Sequence, residues 1–433
     1  MQPAPVPYTR SMTERDAPTT IIPIAESPTA VRDQLERAAA TILPGFTAPQ
    51  PLGGSPHLLR VTTPDGLRVV RRWEPAATAG RIAFISKALD QAHGAGVPMV
   101  PRILPVPDRD GAVSLLQDGR LFTAATWLEG RPFARYGNFH TPDGHTIDIP
   151  VPTATPVEDV VFAAARVLGR FHEATRGLAG GAGAPRAPLS GFLNAARRQW
   201  LSDKRTLGDK AAGSSEIRRW LRCGNRVMGV GPDRMEATAG ILDDTSTVVH
   251  GDLWPSHLLV SPGRELVGIT GWAAMTTSSP VLDLVQLAGH VKGWTAAITE
   301  DLVGAYHEVA PLSPEQRRSI PVVSAIDLVG RVARLLELAF LDERMIGHEA
   351  VPSLRSGVNI LLHSLETLTN VLVPEEPRRY QPARAGAPDH GANTRGRPGG
   401  GTRRSGIRPT TPGKTGSAGR SRPGSPRGTR KES

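Results

Sequence analysis

The sequence predicts an α+β fold in which a small β-rich lobe precedes a larger helical lobe, over residues 29–374. Three observations carry this expectation. Residues 58–61 and 67–73 are short apolar and β-branched runs joined by Pro64-Asp65-Gly66, a turn sequence. From residue 158 onward, apolar residues recur at helical spacing over long stretches. Between those helical stretches, residues 248–260 (VVHGDLWPSHLLV) read apolar, polar, apolar, which predicts strand, loop and strand. Strands first and helices afterwards, without regular alternation, is the α+β pattern.

Taken in order, residues 1–28 read as disordered, with five prolines in the first 23 positions. From Thr29 the run TAVRDQLERAAATIL predicts a helix with Val31, Leu35, Ala38, Ala39 and Ile42 on one face, capped by Thr29. The Pro-Asp-Gly hairpin follows, then a helix over AGRIAFISKALDQAHGAGV. A strand ends in the run LFTAATWLEGRPF, residues 121–133. Residues 137–157, polar and rich in Pro and Gly, predict a long loop, and residues 158–173 a helix that closes on Leu168-Gly169-Arg170-Phe171-His172. Residues 177–190 predict a flexible connection and residues 191–235 contain helical runs. After the strand-loop-strand run, helices are expected at 282–291, 298–309, 324–341 and 354–371.

Charge separates body from tail. The chain carries a formal net charge of +10, yet residues 378–433 hold 14 Lys and Arg against 2 Asp and Glu, while the other 377 residues hold 37 against 39. The tail has almost no large apolar residue, so it cannot offset its ordering entropy and reads as disordered. Weak contact with a polyanion is its functional reading, although no aromatic residue follows Tyr380 to stack on bases. The expected organisation is a disordered N-terminus over 1–28, an N-lobe and hinge over 29–133, a helical C-lobe with the catalytic loop over 134–374, and a disordered basic tail over 375–433. The single Cys223 excludes an internal disulfide and suits a reducing, cytoplasmic setting. No apolar stretch approaches about 18–20 residues, so no membrane span is expected, and the N-terminus lacks a basic-then-apolar signal pattern.

The polar loop at residues 250–257 holds a carboxylate and two imidazoles: His250-Gly251-Asp252-Leu253-Trp254-Pro255-Ser256-His257. Gly251 permits a tight turn, Pro255 stiffens the loop, and Asp252 on such a loop can accept a proton from a bound hydroxyl. The run resembles the catalytic loop of the aminoglycoside phosphotransferase family, the small-molecule branch of the protein-kinase-like fold. That family's pattern is His-Gly-Asp, four residues, then Asn, and its macrolide kinases carry His in the last place, as His257 does here. The resemblance implies a bilobal kinase-like fold, with Asp252 as catalytic base, His257 as a magnesium ligand, and His250 and Asp283 in support. It further implies that Gly53 and Gly54 cover the phosphates, that Arg71 is the strand cation beside them, and that the backbone from Ala125 to Trp127 faces the purine of ATP or GTP. His172 corresponds to the His of the family's Leu-Gly-x-Leu-His and reads as a packed core residue.

Two departures from the family pattern stand out. In Val267-Gly268-Ile269-Thr270-Gly271-Trp272 the glycine falls where the family places its metal-binding Asp, so weak magnesium binding is expected. The helix after the hairpin has apolar residues near Ile82 and Ala83, where the family carries a Glu that pairs with the strand cation. The resemblance thus implies a kinase acting on a hydroxyl-bearing small molecule, with a catalytically impaired nucleotide- or partner-binding scaffold as the alternative.

Overall fold

The computed structural model describes residues 27–52, 55–133, 137–140, 146–149, 158–179, 184–244, 247–253, 255–289, 296–340 and 351–373. The chain divides into Met1–Glu376 and Pro377–Ser433, and the second part, with the basic tail, lies outside the described residues.

Helix α1 spans Pro28–Ile42. Its cap is Ser27, whose Oγ accepts the Ala30 N–H at 3.1 Å, and Pro28 occupies the first turn, where its missing N–H costs nothing. This replaces the expected cap at Thr29. The buried face is the expected one: Val31, Leu35, Ala38, Ala39 and Ile42.

That face covers a five-stranded antiparallel sheet of β1 (Thr47–Pro51), β2 (Leu58–Thr63), β3 (Gly66–Arg72), β4 (Leu115–Gln117) and β5 (Arg120–Thr126), in the order β1-β2-β3-β5-β4. Leu59, Val61, Val70, Phe122 and Ala124 meet α1 in a core of their own. Side chains alternate across a strand, so burial of Val70 beneath α1 turns Arg71 to the opposite face. Helix α2 (Ala79–Gly94) follows β3, and its buried residues Ile82, Ile85 and Leu89 join the second, larger core.

The larger core belongs to the helical lobe. It is assembled from α3 (Glu158–Thr175), α4 (Leu189–Gly208), α5 (Ser215–Asp244), α6 (Val281–Gly289), α7 (Ala296–His307), α8 (Pro314–Phe340) and α9 (Val351–Leu372). Helix α8 begins ten residues before its expected start and runs through Pro321. The ring removes one backbone donor, but burial of Ile320, Val322 and Val323 around it overrides the break.

Small sheets position the loop of interest. β6 (Arg131–Pro132), β10 (Leu258–Val260) and β11 (Leu266–Ile269) form one in the order β11-β10-β6. β9 (Thr247–Val249) pairs with β12 (Thr276–Ser278) in another. The strands flanking residues 250–257 therefore never pair with each other, so the run expected to read as a catalytic hairpin is a bridge between two sheets. The expected long loop at 137–157 contains a two-stranded ladder of β7 (Gly137–His140) and β8 (Thr146–Ile149). Its alternation was masked by the surrounding Pro and Gly. The expected flexible connection at 177–190 is anchored, because Ala187 N–H donates to Thr277 O at 3.0 Å and Thr277 N–H to Pro185 O at 2.7 Å. No helix among the described residues is long and apolar enough to cross a membrane.

Candidate active site

The backbone from His250 to Leu253 is fixed by side chains of α6. Asp283 accepts the N–H of His250 at 2.7 Å on one carboxylate oxygen and the N–H of Gly251 at 2.9 Å on the other. One helical turn on, the Gln286 side chain accepts the Leu253 N–H at 2.7 Å and donates to the Gly251 carbonyl at 3.0 Å. Gly251 has φ +81°, and a Cβ there would stand 2.6 Å from the Ala274 carbonyl, so only glycine serves. The loop thereby presents the Asp252 side chain partly exposed while its neighbours are buried.

Asp283 is fully buried. Burial alone would raise its pKa, but the hydrogen bond from His172, with that from the Gly251 N–H, overcomes that and holds it below the ordinary carboxylate value. His172 Nε2 lies 3.1 Å from Asp283 and Nδ1 lies 2.7 Å from the Tyr306 hydroxyl. Burial drives the Tyr306 phenol upward, so it stays protonated and donates to Nδ1, leaving Nε2–H to donate to Asp283. The chain Tyr306–His172–Asp283 thus ends on the loop backbone. His172 is the packed core residue expected, and also the residue that orients Asp283.

Both loop imidazoles have fixed tautomers. His250 Nε2 donates to the Thr270 carbonyl at 2.7 Å and its Nδ1 accepts the Asp252 N–H at 3.3 Å. Its ring lies 4.6 Å from that of Trp272, and burial lowers its pKa. His257 Nδ1 donates to the Asp252 carbonyl at 2.8 Å, which directs the Nε2 lone pair away from the loop backbone. Burial, reinforced by the charge of His250, lowers the His257 pKa to about 4.

Gly271 explains how that ring fits. Its φ is +85°, and a Cβ built on it would stand 2.6 Å from three atoms of the His257 ring. The imidazole occupies the volume that a side chain at 271 would need. A carboxylate at this position is therefore excluded by both backbone conformation and space. Asp283 is committed to the loop backbone, and the described residues contain no cluster of three or more His, Cys, Asp or Glu able to hold a metal. Magnesium prefers several hard oxygen ligands. His257 Nε2, a single nitrogen, does not fit that requirement, and the residues present do not build a resident magnesium site.

Arg71 faces this loop from β3. Its guanidinium lies 4.6 Å from the Trp73 ring centroid, and its charge contributes to the lowering at His257. Gly53 and Gly54, expected over the phosphates, lie outside the described residues. At the hinge, where the backbone from Ala125 to Trp127 is expected to face the purine, Trp127 N–H donates to Leu67 O at 3.3 Å and Thr126 N–H to Arg102 O at 2.9 Å. Ala125 lies within the sheet opposite Val69 and also bridges to Ile103.

Three polar residues of this site escaped the sequence reading. Gln286 was legible in principle, because Asp283 and Gln286 are the only polar residues of VLDLVQLAG and sit three apart on one helix face. Tyr306 gave no such signal among the residues of α7. Arg81 carries no signal of its own, because the family pattern points to an acidic residue in α2.

The sequence matches the phosphotransferase enzyme family over residues 49–318. No curated protein sequence matches. Among solved structures, the chain resembles an aminoglycoside phosphotransferase from Alicyclobacillus acidocaldarius, with a TM-score of 0.55, 14% identity, and coverage of 78% of this chain and 96% of that one. A microcompartment-associated aminopropanol kinase gives 0.54, 15%, 78% and 97% in the same order. An amicoumacin kinase in complex with AMP-PNP and Ca²⁺ gives 0.51, 12%, 76% and 92%. At such identities these likenesses establish the kinase-like fold.

Proposed function

Because this chain belongs to the phosphotransferase enzyme family, we propose that it transfers the γ-phosphoryl group of ATP or GTP to a hydroxyl of a small molecule. The observation that carries this reading is the clamp on residues 250–253, which holds Asp252 on a loop fixed from beneath by Asp283 and Gln286. A carboxylate so placed takes the acceptor's hydroxyl proton as that oxygen forms its bond to the γ-phosphorus. The bond from the γ-phosphorus to the bridging oxygen breaks, and the nucleoside diphosphate leaves with that electron pair. Arg71, on the facing strand, stabilises the phosphate charge. His250 and Asp283 keep the loop in register; they act through the backbone, not on the substrate. Aminopropanol and amicoumacin, the compounds naming two structural relatives, mark hydroxyl-bearing amines as the first substrates to assay. A cytoplasmic setting, where ATP and GTP are held, fits the free, buried Cys223.

The test is Asp252→Asn, nearly isosteric with wild type, assayed by mass spectrometry across a panel of hydroxyl compounds with ATP and with GTP. Wild type should phosphorylate at least one acceptor. The variant should lose roughly 10²- to 10⁴-fold in turnover, the usual contribution of a general base, with nucleotide affinity retained. Unchanged turnover in the variant would remove Asp252 from the mechanism.

A further inference from the structure

Two arginines converge on the side of the site that faces Asp252. Arg71 stands on β3, on the face opposite the α1 core. Arg81 stands in the first turn of α2, a turn that contains no acidic residue. Its Nη2 donates to the Ala273 carbonyl at 2.9 Å, two residues beyond Gly271. Each guanidinium is partly buried, and the Nε of each is buried without a hydrogen-bond acceptor. Among the described residues neither makes an ion pair. The two charges sense each other: burial first, and then Arg81, lowers the Arg71 pKa, with Glu74 opposing.

Like charges gathered partly out of water, with Glu74 acting on Arg71 but in no ion pair with it, raise the energy of the ligand-free protein. An anion removes that cost. Guanidinium groups suit phosphate in particular, because their planar donors bind its oxygens in pairs. Across the site the dication's usual holder is absent, since Gly271 has no side chain and the His257 ring fills its space.

We propose that Arg71 and Arg81 form a direct oligophosphate clamp, in which Arg81 supplies charge that a protein-held metal ion would otherwise carry. The site thus binds the triphosphate of its donor without a resident divalent cation. This rests on the reading that a nucleotide's phosphates enter between β3 and the Asp252 loop, and the experiment separates the two.

Calorimetric titration of the full chain with ATP and with inorganic tripolyphosphate, each in EDTA and in magnesium, tests the clamp. Wild type should bind both ligands in EDTA, within about threefold of the magnesium values. Arg81→Gln keeps a donor for the Ala273 carbonyl but loses the charge. It should weaken both ligands in EDTA by roughly tenfold or more, the scale of a charge-assisted hydrogen bond, with the melting temperature retained. Arg81→Lys should recover part of the loss. Arg71→Gln should show the same loss and decides the matter if the Arg81 variant folds poorly. The basic tail is common to all variants, so any binding there does not contribute to the differences. Binding of ATP only with magnesium, or equal affinities of wild type and Arg81→Gln in EDTA, would overturn the clamp and leave the kinase reading intact. Tripolyphosphate binding without ATP binding would support the clamp and remove the nucleotide donor. Failure of both ligands in EDTA overturns the clamp.

Discussion

On the side of the site that carries Asp252, the backbone N–H groups of His250, Gly251, Asp252 and Leu253 all have acceptors: Asp283 twice, the His250 ring, and Gln286. On the facing side, Arg71 and Arg81 each present a buried Nε that has none. The first side is complete without a ligand. Its side chains sit in one arrangement because each buried polar group there would lose a hydrogen bond by moving. The second side is incomplete in chemical terms, since among the described residues neither cation has an ion pair and the charge of Glu74 leaves both buried Nε groups without an acceptor. Under the proposed function, a site built in this way positions its base by folding and leaves the phosphate side to be completed by what binds. The scaffold alternative, which would need no positioned base, has no support in this geometry.

That contrast can be broken first at Asp283. Asp283→Ala strands the His250 and Gly251 N–H groups and leaves His172 without its acceptor. Leaving buried donors without an acceptor costs about 1–3 kcal/mol each. Denaturant unfolding should register a loss of that order, and turnover should fall with it because Asp252 is no longer held. A stability within about 1 kcal/mol of wild type would show that the loop is fixed by other contacts.

The second break is Gly271→Asp, which would place a carboxylate beside the His257 ring. From sequence alone this change looks like a gain of metal binding. The structure reverses the expectation, because φ +85° disfavours an L-residue and the His257 ring already fills the space. The cost should be about 1–3 kcal/mol from the backbone alone, with no gain in magnesium affinity for the single variant. Tighter magnesium binding at unchanged stability would show that His257 moves aside readily.

A pH titration of stability sharpens the comparison further. The folded pKa of His257 is depressed from 6.5 to about 4. Between these values the unfolded chain binds more protons than the folded one, so stability falls as pH falls through the window. His257→Asn should flatten that part of the profile, whereas an unchanged slope would assign it to the other buried groups.

The smallest effect belongs to the tail, for which we propose weak, salt-sensitive polyanion binding. Deleting residues 378–433 should leave the melting temperature unchanged and abolish that binding. A lower melting temperature would mean that the segment packs on the body.

Much of the fold was legible because periodicity reports burial. The helical face of Val31, Leu35, Ala38, Ala39 and Ile42 and the hairpin around Pro64-Asp65-Gly66 follow from spacing and turn chemistry alone. Strand partners were less legible. Nothing local in residues 248–260 says that β9 seeks β12 while β10 seeks β11, since pairing is decided by distant chain. At the site, Asp252 and His257 could be singled out because they lie five residues apart in one loop. Arg81 could not, because its relation to Ala273 spans 192 residues and its helix was read for a carboxylate. The place of Gly271 was visible; the ring lying against it was not.

The packing of His257 on Gly271 also bears on how such a site could change over generations. Two of the four glycine codons lie a single base from an aspartate codon, and from either of these the exchange at 271 takes one step. Taken alone, however, it lands in a strained and crowded loop. Taken alone, loss of the His257 ring removes the group that fills the gap and gains no carboxylate. Each single step is unrewarded, and only the two together make room for a carboxylate at 271. A pair of residues fourteen positions apart in the chain is thus locked together by shape, so that neither position is open to change on its own.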